Sequence, residues 1–280
     1  MKNKKFNHTI LVILALFILA SGLNSCKNVS KDKDATDFPQ EEVDVKDRIG
    51  QEVSEFVYPL PETDDVVDLI NEIGIPYIAI TNSVDNVNKY FTAKSKAYNI
   101  GVYGTDLSYS STYNLTQETM LYLEAINQLG NDLGISSIYN EDLLNSIDEN
   151  INNKEKLVEI ITTTVYDTYD FLNNNGKGDL SILMVAGGWI EAMYLSANVS
   201  LNAANNPELL KVIYSQKPSL DKLLSLLEER KEDADIQELL DLMQPVNSAF
   251  NGFESENITA EQFNAFDTAI NDLREKVINL

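Results

Sequence analysis

Apolar residues recur at helical spacing along most of the chain. In the stretch 116–133, Tyr122, Ile126, Leu129 and Leu133 fall at i, i+4, i+7 and i+11 and therefore share one face of a helix. No stretch alternates between apolar and polar residues over a useful length, and only 77–80 is strand-like. The same periodicity, with glycine, proline and capping residues as boundaries, predicts helices over 84–98, 116–133, 141–150, 153–172, 180–204, 207–216, 218–231, 235–250 (interrupted or kinked by Pro245) and 259–279.

The pattern predicts an all-α fold, organised as a single globular domain of about eight or nine helices. The stretch 99–113 departs from it, because two glycines and many Ser, Thr and Tyr residues favour a loop over about 100–115. Tyrosines next to small polar residues are typical of binding loops, and an Asp among them could orient a sugar hydroxyl. The candidate ligand-binding residues of this loop are Tyr103, Asp106, Tyr109 and Tyr113. The alternative is a loop that packs inward on its own aromatic rings.

The most apolar predicted helix, 180–204, carries a stripe of small residues. Every fourth position is small, which would allow another helix to approach closely and would place this helix at the centre of the fold. Trp189 lies beside the stripe. Tight core packing is the main interpretation, and a groove for an apolar ligand or a partner helix is the alternative. The stripe consists of Gly188, Ala192, Ser196, Ser200 and Ala204.

Glu191 is an unusual residue in the same helix, because its helical neighbours are glycines and apolar residues. A carboxylate in such surroundings is expected to be desolvated, which raises its pKa. It is either a structural group that is hydrogen-bonded across the core or a functional acid or base. A carboxylate-based hydrolase of glycosides needs two carboxyl groups about 5–9.5 Å apart. Glu191 and Asp106 are the two candidates, and nothing in the sequence places them together.

Composition excludes several kinds of chemistry. The only histidine is His8 and the only cysteine is Cys26, both close to the N-terminus. The rest of the chain therefore lacks the residues for a Ser-His-Asp or Cys-His mechanism, for a Cys/His zinc site and for an internal disulfide. The net charge of −23 argues against nucleic acid as a partner. We predict no catalytic residue, no metal and no cofactor.

The N-terminus has the pattern of a secretory signal. Three lysines precede an unbroken apolar run over 10–20, which is too short to span a membrane. The following sequence Leu23-Asn24-Ser25-Cys26 resembles the bacterial lipobox, in which the cysteine becomes the lipidated first residue. The resemblance implies a signal peptide over 1–25 and lipidation of Cys26. Because Lys27 rather than Asp follows the cysteine, similarity to lipoprotein sorting in Gram-negative envelopes implies the outer membrane.

The sequence after Cys26 is charged and poor in apolar residues, so 26–56 is predicted to be a flexible tether and 57–280 the helical domain. The phrases GVYGTDLSY and GGWIEAMY resemble uncharacterised helical lipoproteins of Gram-negative anaerobes, and this resemblance implies no activity. We expect an outer-membrane-anchored helical lipoprotein with a non-enzymatic binding or scaffolding role, facing either the periplasm or the exterior. Its expected partners are the membrane, through the lipid, and an envelope protein or glycan. The alternatives are a binder of a small ligand, glycan or peptide through 99–113, and, third, the hydrolase.

Overall fold

The fold is known from a computed structural model, which describes residues 74–151, 153–203 and 205–280, without the side chains at 154, 155, 158 and 162. The predicted signal peptide, Cys26 and the predicted tether lie outside the described residues. The first part of the predicted helical domain, 57–73, also lies outside them.

The described part of the chain contains one 3-10 helix, nine α-helices and no strand, so the prediction of an all-α fold is confirmed. The 3-10 helix covers Val84–Lys89. The α-helices are α1 (Ala93–Thr112), α2 (Thr116–Leu133), α3 (Glu141–Asn150), α4 (Lys154–Asn174), α5 (Gly178–Asn202), α6 (Pro207–Ser215), α7 (Lys217–Glu228), α8 (Ala234–Asn251) and α9 (Ala260–Ile278).

The region before and within α1 differs from the prediction. The expected helix over 84–98 is divided, because the 3-10 helix stops at Lys89 and α1 begins only after Thr92. The Thr92 hydroxyl accepts a hydrogen bond from the Ser95 backbone N–H, and the Ser95 hydroxyl accepts one from the Thr92 backbone N–H. This reciprocal capping box fixes the start of α1.

The predicted loop over 100–115 is also wrong, since α1 continues to Thr112. Hydroxyl groups in this stretch donate to the carbonyl one turn back, from Ser108 to Gly104 and from Thr112 to Ser108, so they do not compete with the helix. Most of α1 is buried against other helices. Tertiary packing therefore outweighs the weak helix propensity of its Gly, Ser and Thr residues.

Helix α5 is the centre of the fold, as its small-residue stripe predicts. It packs against α1, α4, α9, α6 and α7. Within the described ranges it is the one helix long and apolar enough to cross a membrane by length and composition, and 72% of its most apolar window is buried inside the fold. A helix in the core of a protein is typically apolar on all sides and buried in this way.

The closest approach of α1 and α5 depends on two glycines. A Cβ atom on Gly101 would lie 2.0 Å from the Met184 carbonyl oxygen, and a Cβ on Gly187 would lie 2.2 Å from the Tyr98 carbonyl oxygen. Neither position has room for a side chain. Gly188 of the predicted stripe also faces Gly101, but a Cβ there would be 3.5 Å from the nearest atom. The tightest contact is therefore displaced by one residue from the predicted stripe, and Ala204 lies outside the described residues.

The other side of α5 packs on aromatic residues of the C-terminal helices. The ring centroid of Trp189 is 6.1 Å from that of Phe250 on α8, which in turn contacts Phe266 on α9 at 5.2 Å. Helix α8 continues through Pro245, so the predicted interruption there does not occur. These rings form part of one continuous apolar core.

An extended segment, residues 75–83, precedes the 3-10 helix. The stretch 77–80, which is strand-like in sequence, pairs with no strand in the described part of the chain. Ile75 packs with Leu195 and Val199 of α5 and with Leu209 of α6 in a small separate apolar cluster. The segment is thereby laid along α1 and α5, close to the carboxyl groups described next.

Candidate functional site

The carboxyl groups of Asp106 and Glu191 meet in the core between α1 and α5. Both side chains are 0% exposed, and they are close enough for a hydrogen bond between them once one carboxyl group holds a proton. Asp106 lies five residues after Gly101, and Glu191 lies four residues after Gly187. The close approach of the two backbones at these glycines therefore brings the two carboxyl groups within reach of each other.

A third helix supplies the counter-charge. The guanidinium of Arg274 on α9 donates through Nε to Oε2 of Glu191 and through Nη2 to Oε1, each at 2.9 Å. This two-point geometry is the strongest arrangement for an arginine and a carboxylate. Arg274 is 11% exposed, and its Cζ atom lies 4.3 Å from the centroid of the Tyr194 ring, which adds a cation–π contact.

Asn82 of the extended segment closes the site. Its backbone N–H donates to Oδ2 of Asp106 at 3.1 Å. Its side-chain Nδ2 donates to the Tyr90 hydroxyl at 2.9 Å and to Oδ1 of Asn99 at 3.1 Å. Asn82 is itself buried, so its donors are matched with internal acceptors. The segment is held to α1 by the same residue that contacts the carboxyl pair.

The electrostatics of the pair follow from burial. Loss of solvation, the charge of Glu191 and the hydrogen bond to Glu191 raise the pKa of Asp106 well above its ordinary value, against the opposing charge of Arg274 and the Asn82 N–H. Burial also raises the pKa of Glu191, although the hydrogen bonds and charge of Arg274 counter part of that effect. Each carboxyl group is therefore harder to ionise inside the protein than in water.

The predicted tyrosine-rich binding loop is instead a buried helical face that holds the extended segment. The Tyr103 hydroxyl donates to the Ser83 carbonyl at 2.9 Å. The Tyr109 hydroxyl lies 3.2 Å from the Ile78 backbone N–H and 3.3 Å from its carbonyl oxygen, accepting from the first and donating to the second. Tyr113 packs edge-on against Tyr109 at 5.1 Å. The polar groups of Tyr103, Asp106 and Tyr109, which suggested an external ligand, thus bind the chain's own backbone.

The six candidate ligand-binding residues fall into two groups. Tyr103, Asp106, Tyr109 and Tyr113 line one side of α1, and Glu191 joins Asp106 there. Trp189, two residues from Glu191, lies on the other side of α5 against Phe250. The alternative in which 99–113 packs inward on its aromatic rings agrees with the burial of these side chains, although the segment is a helix.

Sequence reasoning missed Asn82 and Arg274. Arg274 follows the buried Leu273 directly and is one of only three arginines in the sequence, which is a weak signal of an internal counter-charge. Asn82 carries no comparable signal, because a single Asn before a helix is most simply a cap or turn residue. Both partners are recognised only when the helices are assembled.

Two further features bear on ligands. Across residues 74–151, 153–203 and 205–280, no group of three or more His, Cys, Asp or Glu side chains is placed to hold a metal ion. A surface groove of about 350 Å³ lies between the starts of α6 and α9. It is lined by Asn205, Pro207, Leu210, residues 256–260 and Phe263.

No protein-family model, curated protein or solved structure matches this chain. The two carboxyl groups are close enough to share a hydrogen bond, whereas glycoside hydrolysis needs about 5–9.5 Å between them. Both oxygens of Glu191 are bound by Arg274. The arrangement suits a buried structural acid pair that connects three helices and the extended segment.

Proposed function

We propose that this chain is an outer-membrane lipoprotein whose helical domain binds or scaffolds an envelope partner without catalysing a reaction. The observation that carries the proposal is the engagement of Asp106 and Glu191 with each other, with Arg274 and with Asn82. These are the two carboxyl groups that the sequence offers for acid–base chemistry, and both are buried in internal contacts. A role in holding the domain rigid fits this geometry better than a role in catalysis.

Attachment of the domain to the membrane is the second element of the proposal. The lipobox-like sequence ending at Cys26 supports a lipid anchor at the start of the mature chain. The first described segment, 75–83, is fixed to the core by Asn82 and Tyr109. A domain that a lipid anchor at its N-terminal side holds at the membrane can present its other surfaces to a partner.

Metabolic labelling with an azido fatty acid tests the anchor. We expect the full chain to incorporate the label and to fractionate with outer membranes, and the Cys26→Ser variant to lose both properties. Incorporation of label by the Cys26→Ser chain would contradict lipidation at this residue.

Site-specific photo-cross-linking tests the binding role. A photoreactive amino acid is placed in the full chain at Phe91, which is 82% exposed, at Glu256 in the α6–α9 groove, and at Glu149 on α3 as a control surface. We expect one discrete cross-linked product, dependent on Cys26, from at least one of the first two positions and none from Glu149. The absence of a discrete product from all three positions would overturn the binding proposal.

A further inference from the structure

The buried acid cluster contains an unbalanced charge. Two carboxyl groups face a single guanidinium, so the cluster carries a net negative charge if both carboxyl groups are ionised. Such a charge inside a protein is strongly unfavourable. One bound proton makes the cluster of Asp106, Glu191 and Arg274 neutral.

The hydrogen bonds indicate where this proton lies. Both oxygens of Glu191 accept from Arg274, which is the arrangement of an ionised carboxylate. Oδ2 of Asp106 accepts from the Asn82 N–H, whereas Oδ1 is buried and receives no nitrogen or hydroxyl donor. If Asp106 is protonated, its Oδ1 can carry the proton and donate it to the Glu191 carboxylate, so this buried oxygen is no longer without a hydrogen-bond partner.

We propose that Asp106 and Glu191 together hold one proton in the folded protein at neutral pH, and that loss of this proton at alkaline pH releases the extended segment 75–83 from α1. The Asn82 backbone N–H is bonded to Asp106, so the segment is attached directly to the group that carries the proton. If Asp106 is also ionised, two negative charges lie close together and only the Arg274 guanidinium balances them. The Asp106 carboxylate can reach water only if one of the elements that cover it moves.

The extended segment is the covering element that moves most easily. Helices α1, α5 and α9 are held by their own backbone hydrogen bonds, whereas the segment has one described internal backbone bond, from Ile80 to Ile78. It is otherwise held by side chains of α1 and of the 3-10 region and by apolar packing on α5 and α6. Elements with few backbone hydrogen bonds of their own open at lower free energy than the helices beneath them.

The other titratable groups around the pair come from every side of α1. Tyr194 of α5, Tyr122 of α2, Tyr90 after the 3-10 helix and Tyr103 of α1 surround the pair, and burial raises the pKa of each of them. Each is therefore harder to ionise than a free tyrosine. Two further titratable groups lie nearby. The charge of Asp267 on α9 raises the pKa of Tyr194, and Tyr169 of α4 is buried in the same core.

The direction of the pH effect follows from linkage. Because burial raises the pKa of folded Asp106 above its unfolded value of about 4, the folded state holds the proton more tightly. The stabilising contribution is fully present below pH 4 and is lost as the pH rises through the folded pKa. Between the unfolded and the folded pKa, the ratio of released to attached segment grows about tenfold for each pH unit, and above the folded pKa it levels off.

Infrared spectroscopy of the purified full chain at neutral pH tests the proton directly. The C=O stretching band of a protonated carboxyl group is expected in the unmodified protein, since exposed carboxyl groups are ionised at this pH. It is recognised by its shift in D₂O, which the ester carbonyls of a lipid anchor do not show. The band should disappear in Asp106→Asn and also in Glu191→Gln, because Asp106 then ionises opposite Arg274. It should remain in Asp267→Asn, the control carboxyl on α9. No band in the unmodified protein, or a band that persists in Asp106→Asn, would overturn the proposal.

Amide hydrogen exchange tests the release of the segment. After correction for the intrinsic rate, protection of residues 78–83 should fall as the pH rises toward the midpoint of the infrared band and level off above it, while protection in α8 stays constant. Asp106→Asn, whose amide can still accept from the Asn82 N–H and donate to Glu191, should show no such fall. If the unmodified protein keeps full protection of 78–83 while the infrared band is lost, the proton does not control the segment and that part of the proposal is wrong.

Discussion

Helices α1 and α5 meet in two ways within about two turns, and the two contacts have opposite chemistry. At Gly101 and Gly187 the backbones touch with no space for a side chain. At Asp106 and Glu191 two carboxyl groups meet and need a guanidinium from α9 and an amide from the extended segment. The first contact is complete with two helices, whereas the second requires four elements. The glycine contact therefore defines the distance between the helices, and the acid cluster defines what must assemble around them.

Removal of the counter-charge from the acid cluster should cause the largest loss of unfolding free energy. Arg274→Met leaves two buried carboxyl groups without a cation, and breaking a buried pair in this way costs about 3–5 kcal/mol of unfolding free energy. The loss should be smaller at pH 5 than at pH 7, because protonation of Glu191 then removes the unpaired charge. Denaturant unfolding at the two pH values measures both quantities.

Arg230→Met is the matched control for this variant. Arg230 forms a partly exposed ion pair with Asp179, at 2.9 Å. Its loss should cost less than about 1 kcal/mol. Equal losses for the two arginine variants would mean that the buried cluster contributes no more than a surface ion pair.

The glycine contact predicts the next largest effect. Gly101→Ala places a methyl group against the Met184 carbonyl and should cost about 3 kcal/mol, at the upper end of overpacking, despite the higher helix propensity of alanine. Gly104→Ala, on the same helix with open space around its Cβ, should leave the melting temperature unchanged or raise it. Similar melting temperatures for the two variants would show that α1 and α5 do not touch at Gly101.

Substitution of Glu191 separates a structural acid from a strained functional one. Glu191→Ala should cost about 1–3 kcal/mol, because Arg274 loses its bonded partner and a cavity remains, although Asp106 can ionise opposite it. Glu191→Gln keeps the shape and should cost less. Thermal unfolding at neutral pH compares them. A gain in stability for both variants would indicate a functional carboxylate held under strain.

The attachment of the extended segment gives the smallest of the four effects. Tyr109→Phe removes both hydrogen bonds to Ile78 and should cost about 1 kcal/mol. Tyr77→Phe, whose ring lies 5.5 Å from that of Tyr109, is the control and should change stability by less than about 0.5 kcal/mol. Hydrogen exchange at residue 78 should increase only in the first variant.

The sequence by itself determined the helices whose signals are local. The predicted bounds of α2 and α3 agree with the structure residue for residue, and Gly134 ends α2 with a φ of +77°. Apolar spacing, caps and a glycine in the left-handed region all act within a few turns of chain, so they can be recognised without knowledge of the fold. The central position of α5 also follows from its own composition.

Only the tertiary structure decided that 100–112 is helical and that Asp106, Glu191 and Arg274 form one cluster. Burial against α5 overcomes the low helix propensity of α1, and no local pattern reports a neighbour that lies 83 residues away in sequence, as Arg274 does from Glu191. The periodicity of a helix identifies the face that is buried but not the groups that it meets. A buried carboxyl group takes its partner, its charge state and its role from those groups.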